Sequence, residues 1–205
     1  MDKARNATNS AIKKVISPKT ALAVRLRSAS ARGRWYACGV FRITLGKAGR
    51  LIVFDIPGFQ PLEVEHLLLD YNGTIAKDGI MPESVRSLIA RLSEKLQVTV
   101  LTADTHGTVR AQCEGLDVHV ETFPRAGAAQ CKRDYAQDLQ GGAACLGNGF
   151  NDILMFDECA LSIAVMDAEG ACAKLIPHAD ILVRSMEEGL EMLLVPDRVL
   201  ATLRS

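Results

Sequence analysis

The 205-residue sequence lacks three features that would each direct its interpretation. No apolar run approaches the ~20 residues that a membrane span needs, so the sequence predicts no membrane-spanning segment. The six cysteines include no Cys-x-x-Cys pair, which argues against a zinc knuckle or a redox pair. No long apolar stretch follows the early lysines, which argues against a secretory signal. We therefore expect a cytoplasmic protein whose thiols are reduced.

Acidic residues are almost absent from the first fifty positions. The whole chain has 24 Lys and Arg against 24 Asp and Glu, a formal net charge of zero. Residues 1–50 contain 12 of the cations and one carboxylate, Asp2, so they carry +11 and the rest of the chain carries −11. The sequence therefore predicts a basic N-terminal extension over residues 1–50 and a separate acidic domain over residues 51–205.

Three interpretations of the extension are open. Its Arg-rich, Ser-rich and acid-poor composition is typical of an organelle transit peptide. Clustered Lys and Arg also suit a basic arm for nucleic acid or for an anionic membrane surface. The third interpretation is upstream sequence read through from a start codon placed too early, without a folded structure of its own. We favour the third, because regular patterning begins abruptly at Leu51, and we do not expect the extension to bind nucleic acid.

Strand and helix patterns alternate from Leu51 onward. The run from His66 to Tyr71 is apolar on consecutive residues, which is typical of a parallel strand buried on both faces. Such alternation predicts an α/β, Rossmann-like fold, with a mostly parallel sheet and helices on both faces. The other predicted elements are a hairpin of 51–56 and 62–65, strands at 98–101, 118–121, 143–146, 161–165 and 181–183, and helices from 82, at 107–114, at 126–139, from 152, from about 169 and from 186.

Polar residues follow three of the predicted strands at their carboxyl ends, where open parallel sheets bind ligands. A carboxylate in this position is costly unless a metal ion or hydrogen bonds compensate its lost hydration. Two carboxylates with a nearby hydroxyl and glycine-bounded amides suit a hard divalent cation and a phosphoryl group. The three segments are Asp70-Tyr71-Asn72-Gly73-Thr74, Thr102-Ala103-Asp104 and Gly147-Asn148-Gly149-Phe150-Asn151-Asp152.

These three segments, in this order, resemble the successive motifs of the haloacid dehalogenase (HAD) superfamily of phosphohydrolases. The resemblance covers residues 51–205 and is closest to small soluble members related to the phosphorylation domain of P-type ATPases. It implies that Asp70 is the nucleophile, which takes the phosphoryl group as an aspartyl phosphate. It also implies Mg²⁺ as cofactor, held by Asp70, the backbone carbonyl of Asn72 and Asp152.

The resemblance further implies a basic residue that neutralises the phosphoryl charge. Lys132 fits this role best, with Arg133 or Arg125 as alternatives. The phosphate-binding residues implied are Gly73, Thr102, Ala103 and Lys132. Asn148 and Asn151 are implied as supporting residues.

Two residues depart from the family pattern. Asn72 stands where typical phosphatases have a second Asp that acts as general acid and base, and an amide cannot exchange a proton in this way. Asn148 stands where many relatives have Asp, which leaves one carboxylate fewer near the metal. We therefore expect slow hydrolysis or substrates with good leaving groups. The alternative is a catalytically weak regulatory domain that binds phosphate or Mg²⁺.

The chain is too short between its motifs for a cap domain. Seven residues separate Thr74 from Pro82, and 29 separate Thr102 from Lys132. We therefore expect an open, capless site for a phosphorylated small molecule or a nucleotide. Two further alternatives are a phosphate carried by a macromolecule and a site covered by a second subunit of a homo-oligomer.

Overall fold

The computed structural model describes residues 49–104 and 107–204. The basic extension predicted over residues 1–50 therefore lies outside the described residues, apart from its last two positions. Within the described ranges, no helix is both long and apolar enough to cross a membrane.

A six-stranded sheet forms the centre of the described structure, and all five of its strand pairs are parallel. The spatial order is β5-β4-β3-β6-β7-β8. Its strands are β3 (His66–Asp70), β4 (Gln97–Thr102), β5 (His119–Thr122), β6 (Ala143–Gly147), β7 (Leu161–Val165) and β8 (Ile181–Val183). The predicted hairpin forms a separate antiparallel pair, β1 (Ile52–Phe54) and β2 (Leu62–Val64).

Helices cover both faces of the sheet, as the consecutive apolar residues of β3 predict. The side chains of Leu67 and Leu69 join the core cluster on one face, and that of Leu68 joins the cluster on the other. Successive side chains of a strand point to opposite faces, so a strand buried on both is apolar throughout. The helices are α1 (Glu83–Ser93), α2 (Val109–Gln112), α3 (Ala128–Asp138), α4 (Ile153–Glu158), α5 (Met186–Leu194) and α6 (Pro196–Leu203).

The helix predicted from about Glu169 is wrong. The chain forms a turn there, with Gly170 at φ +76°, and the helical element between β7 and β8 is a single 3₁₀ turn, Ile176–His178. The backbone groups that a helix would use are bonded elsewhere: Asn148 Nδ2 donates to the Gly170 carbonyl at 3.0 Å, and Cys172 N donates to the Asn148 carbonyl at 2.8 Å. Hydrogen bonds with Asn148 therefore replace helical ones.

The single last helix predicted from Met186 is divided in two. Helix α5 ends at Leu194 and α6 begins at Pro196, with Val195 between them at φ −124° and ψ 77°. Proline has no N–H to continue a helix and disfavours the helical conformation of the residue before it. Pro196 therefore ends one helix and provides the first residue of the next.

The strand order places a topological switch point beside β3. The chain passes from β3 to β4 on one side, whereas β6 lies on the other side of β3. Ligands of open α/β sheets bind outside the carboxyl ends of the strands at such a point. Asp70 ends β3 and Gly147 ends β6, so the first and third polar segments meet there.

Candidate active site

A buried lysine joins two buried carboxylates at the switch point. Lys132 Nζ donates hydrogen bonds to Asp70 Oδ1 and, at 2.6 Å, to Asp152 Oδ1. The side chains of Lys132 and Asp152 are 0% exposed and that of Asp70 is 8% exposed. Helix α3 presents the lysine, β3 ends at Asp70, and Asp152 ends the 3₁₀ turn Phe150–Asp152 after β6.

Burial and the neighbouring charges perturb the pKa values of Asp70 and Lys132. Burial raises the pKa of Asp70 to about 6, because lost hydration outweighs the attraction of Lys132, and repulsion from Asp152 adds to the rise. Burial by itself would lower the pKa of Lys132, but the two carboxylates outweigh it and hold this pKa above its usual value. The lysine therefore stays protonated, and its ammonium lies between the carboxyl groups of Asp70 and Asp152.

Thr74 and Asn148 fix the orientation of Asp70. The Thr74 hydroxyl lies 3.0 Å from Asp70 Oδ2 and 3.2 Å from Asn148 Oδ1, so its single hydrogen is shared between them. The Asn148 amide donates to the carbonyl of Gly170 on the loop after β7. These contacts join the ends of β3 and β6 to that loop. The position of Thr74 within the first motif was the available signal for this role, which our sequence prediction missed.

Thr102 lies at the end of β4, facing the same edge. Its Oγ1 accepts hydrogen bonds from Asp104 N at 2.9 Å and from Asn72 Nδ2 at 3.4 Å. Asp104 in turn accepts from the backbone amides of Thr108 and Val109, so it caps the start of α2. The Thr102 hydroxyl oxygen therefore accepts two hydrogen bonds, which use both of its lone pairs, and its own hydrogen can be donated to a further partner.

Two glycines allow the close approach of these groups. A Cβ on Gly147 would lie 2.5 Å from Asp152 Oδ2, so a side chain there would displace that carboxylate. Gly73 has φ +74°, and a Cβ on it would lie 2.5 Å from Asn148 Nδ2. Gly149 N donates to Asp152 Oδ2 at 2.8 Å. The backbone of both motif loops is therefore packed directly against the site's side chains.

Lys132 is the basic residue that the fold brings to the site. The alternatives lie elsewhere: Arg133 pairs with Glu158 at 3.1 Å, and Arg125 is exposed. Ala103 and Asn151 lie half-buried beside the site, after β4 and in the 3₁₀ turn.

The donor set fits a hard divalent cation. Carboxylate, amide and backbone carbonyl oxygens are the ligands that Mg²⁺ prefers. The Oδ1 atom of Asn72 is buried and has no hydrogen-bond partner, and a cation or its water would satisfy it. Among the described residues, no three His, Cys, Asp or Glu side chains gather as a metal-binding group. Any Mg²⁺ here would therefore depend on Asp70, Asp152, backbone or amide oxygens, and water.

No family model matches the chain. Two proteins of Methanocaldococcus jannaschii, both described as uncharacterized, match parts of it. Protein MJ0073 is 41% identical over 59 residues, which are 29% of this chain and 63% of that protein, so the chain spans less than two thirds of it. Protein MJ0072 is 46% identical over 39 residues, which are 19% of this chain and 89% of that protein.

The fold is similar to those of several solved phosphatases and hydrolases. A HAD family hydrolase from Streptomyces avermitilis superposes with a TM-score of 0.52 at 19% identity, over 66% of this chain and 87% of that one. The cobalt-bound deoxy-D-mannose-octulosonate 8-phosphate phosphatase from Haemophilus influenzae gives 0.56 at 16%, over 69% and 94%. The corresponding Moraxella catarrhalis phosphatase, solved with magnesium, phosphate and KDO, gives 0.51 at 14%, over 69% and 94%. These likenesses confirm the predicted fold.

Proposed function

We propose that this chain, which belongs to the same family as the archaeal protein MJ0072 and has the HAD fold, is a Mg²⁺-dependent phosphohydrolase. The observation that carries the proposal is the buried Lys132 between Asp70 and Asp152, at the switch point of the sheet. Burying three charged groups is costly, and perturbed ionisable groups of this kind cluster at functional sites.

Asp70 is the nucleophile in this proposal, and it takes the phosphoryl group as an aspartyl phosphate. Its two oxygens are held by Lys132 and by the Thr74 hydroxyl, so the carboxylate is oriented before a substrate binds. Catalysis of phosphoryl transfer consists mainly of positioning and charge neutralisation. Mg²⁺, held by Asp70, Asp152 and the Asn72 carbonyl, would offset the repulsion between the carboxylate and the phosphate.

Lys132 and Thr102 bind the phosphoryl oxygens. The Lys132 ammonium donates a hydrogen bond to Asp70 and neutralises negative charge where the phosphoryl group is attacked. Thr102 accepts two hydrogen bonds from the protein, so its own hydrogen is available to a phosphoryl oxygen. The backbone of Gly73 and Ala103, in the two loops that flank the site, completes the proposed phosphate-binding set.

Asn72 limits the rate in this mechanism. Its side chain donates to Thr102 and cannot supply a proton to the leaving group. We therefore propose slow turnover and a preference for substrates whose leaving groups depart without a proton, such as aryl phosphates and phosphoanhydrides. The substrate class is a phosphorylated small molecule or a nucleotide, in line with the sugar phosphate named for the similar phosphatases.

The test is hydrolysis of para-nitrophenyl phosphate by the full chain, with Mg²⁺ and with EDTA. We expect Mg²⁺-dependent release of the aryl group, its loss in Asp70→Asn, and wild-type release in the control Asp138→Asn, an exposed residue of α3. A wild-type rate in Asp70→Asn would contradict the proposal. Phosphate and Mg²⁺ binding without turnover would instead support the regulatory domain that Asn72 and Asn148 favour.

A further inference from the structure

An open cavity lies at the amino edge of the sheet, at the opposite end of the strands from the candidate active site. Its volume is about 430 Å³, within the range of about 300–1,000 Å³ that is typical of small-molecule sites. The starts of β3, β4 and β5 and the end of α3 border it. Its lining includes none of the residues proposed for phosphate or Mg²⁺, so the cavity is separate from the phosphohydrolase site.

The strand register explains why polar side chains gather at this edge. Thr99 lies beside Leu68 of β3 and beside His119 of β5, so these three side chains share one face of the sheet. His66 is two residues before Leu68 and therefore lies on the same face. Helix α3 covers this face, because Tyr135 packs against the core cluster that contains Leu68. The face is thus apolar at its centre and polar where the cavity opens.

The rings of His119 and Tyr135 form a flat wall of the cavity. Their centroids are 6.5 Å apart, and their planes are within 14° of parallel. The side chain of His119 is 59% exposed, so a ligand can reach its ring. Aromatic faces of this kind stack with planar rings, and every nucleobase has such a face.

Two polar groups beside these rings have hydrogen-bonding capacity that the protein does not use. His66 Nε2 lies 2.9 Å from the carbonyl of Gln140, and because a carbonyl can only accept, Nε2 donates and Nδ1 of the neutral ring is an acceptor. The hydroxyl oxygens of Thr99 and Tyr135 are 3.2 Å apart, so one of their two hydrogens lies between them and the other can be donated to a ligand. The cavity therefore offers a donor and an acceptor.

The charged groups around the cavity are paired, which argues against an ionic ligand. Arg50 forms an ion pair with Asp117, and both line the cavity. His119 Nε2 lies 3.1 Å from the carboxylate of Glu121. The other lining groups carry no charge and are Gln97, Val98 and Leu139. An anion would thus meet no unpaired cation among the described lining residues, and the described residues contain no His, Cys, Asp or Glu group suited to a metal ion.

We infer that this cavity binds an uncharged, planar nitrogen heterocycle, namely a nucleobase or its nucleoside. The ring stacks on His119 and Tyr135. A nucleobase edge carries a hydrogen-bond donor beside an acceptor, and these match His66 Nδ1 and the Thr99–Tyr135 hydroxyl pair. The inference goes beyond the proposed phosphohydrolase activity and does not depend on it.

The experiment is calorimetric titration of adenosine into the full chain in EDTA. We expect saturable binding that His119→Ala weakens about tenfold, because a stacked ring is lost, and that His119→Phe largely retains. Tyr135→Phe keeps the ring, removes the hydroxyl and should weaken binding about fivefold. The matched control is Phe150→Ala, which removes an exposed aromatic ring after β6, at the carboxyl edge, and should leave the affinity unchanged.

The outcomes separate binding in the cavity from binding elsewhere. Absence of saturable adenosine binding overturns the inference, as does an affinity that neither His119→Ala nor Tyr135→Phe changes. A loss in Phe150→Ala as large as that in His119→Ala also overturns it, because adenosine then binds at the carboxyl edge. Equal losses in His119→Phe and His119→Ala, or ribose binding as tightly as adenosine, would contradict the stacking role.

The proposed function is measured independently of this site. Absence of Mg²⁺-dependent hydrolysis would overturn the phosphohydrolase and leave the adenosine result as it stands. Circular dichroism of each variant verifies that it is folded.

Discussion

Replacing Lys132 by methionine tests the electrostatic account of the site. The change keeps an unbranched side chain in α3 but removes the ammonium, so Asp70 and Asp152 remain buried beside each other without a cation. Removing one partner of a buried ion pair costs about 3 to 5 kcal/mol, because the remaining charge stays desolvated. In a domain of this size, each kcal/mol corresponds to about 2–4 °C in Tm. We therefore expect a Tm about 10 °C below that of wild type in EDTA.

The assays are thermal unfolding, for Tm, and urea unfolding, for the free energy, both at neutral pH in EDTA and followed by circular dichroism. Asp70→Asn is the informative comparison, because it leaves a neutral Lys132–Asp152 pair and should cost less than about 1 kcal/mol. The double variant Lys132→Met/Asp70→Asn should recover part of the loss, since only one buried carboxylate then remains. A loss below about 1 kcal/mol for Lys132→Met would refute this reasoning. So would an Asp70→Asn loss as large as that of Lys132→Met.

Three further predictions concern the proposed chemistry. Asn72→Asp introduces a proton donor and should raise kcat on alkyl phosphates about tenfold or more; an unchanged kcat would show that leaving-group protonation is not limiting. Thr102→Val should lower kcat about 30-fold and Thr102→Ser should retain most of it, whereas equal losses would show that the hydroxyl is not the group that matters. Gly147→Ala should abolish measurable Mg²⁺ binding by calorimetry, because the new Cβ would lie 2.5 Å from Asp152 Oδ2 and displace that carboxylate. Equal binding in wild type and Gly147→Ala would argue against Asp152 as a ligand. Its control, Gly149→Ala, meets only the end of the Asn151 side chain closely and should bind Mg²⁺ normally.

The sequence by itself determined the succession of strands and helices. A strand buried on both faces of a sheet must be apolar at consecutive residues, as Leu67–Leu69 are, and such a run can be recognised in the sequence. Asp70 could likewise be placed at the end of an apolar strand, and Asp152 in the segment that follows another. The helix expected at Glu169 shows the limit of local patterning. Its backbone hydrogen bonds are made with Asn148, 22 residues from Gly170, instead of within the segment.

Only the tertiary structure decided which polar groups meet. The strand order places β4 on one side of β3 and β6 on the other. The loop that follows β6 and carries Asp152 therefore lies next to Asp70. The choice of Lys132 over Arg133 depends on the rotation of α3 against the sheet, since adjacent helical residues point about 100° apart. The contact from Lys132 to Asp70 spans 62 residues of chain. Local propensity acts over a few residues, whereas such contacts depend on how whole elements pack, so the cluster and the cavity at the amino edge of the sheet exist only in the folded chain.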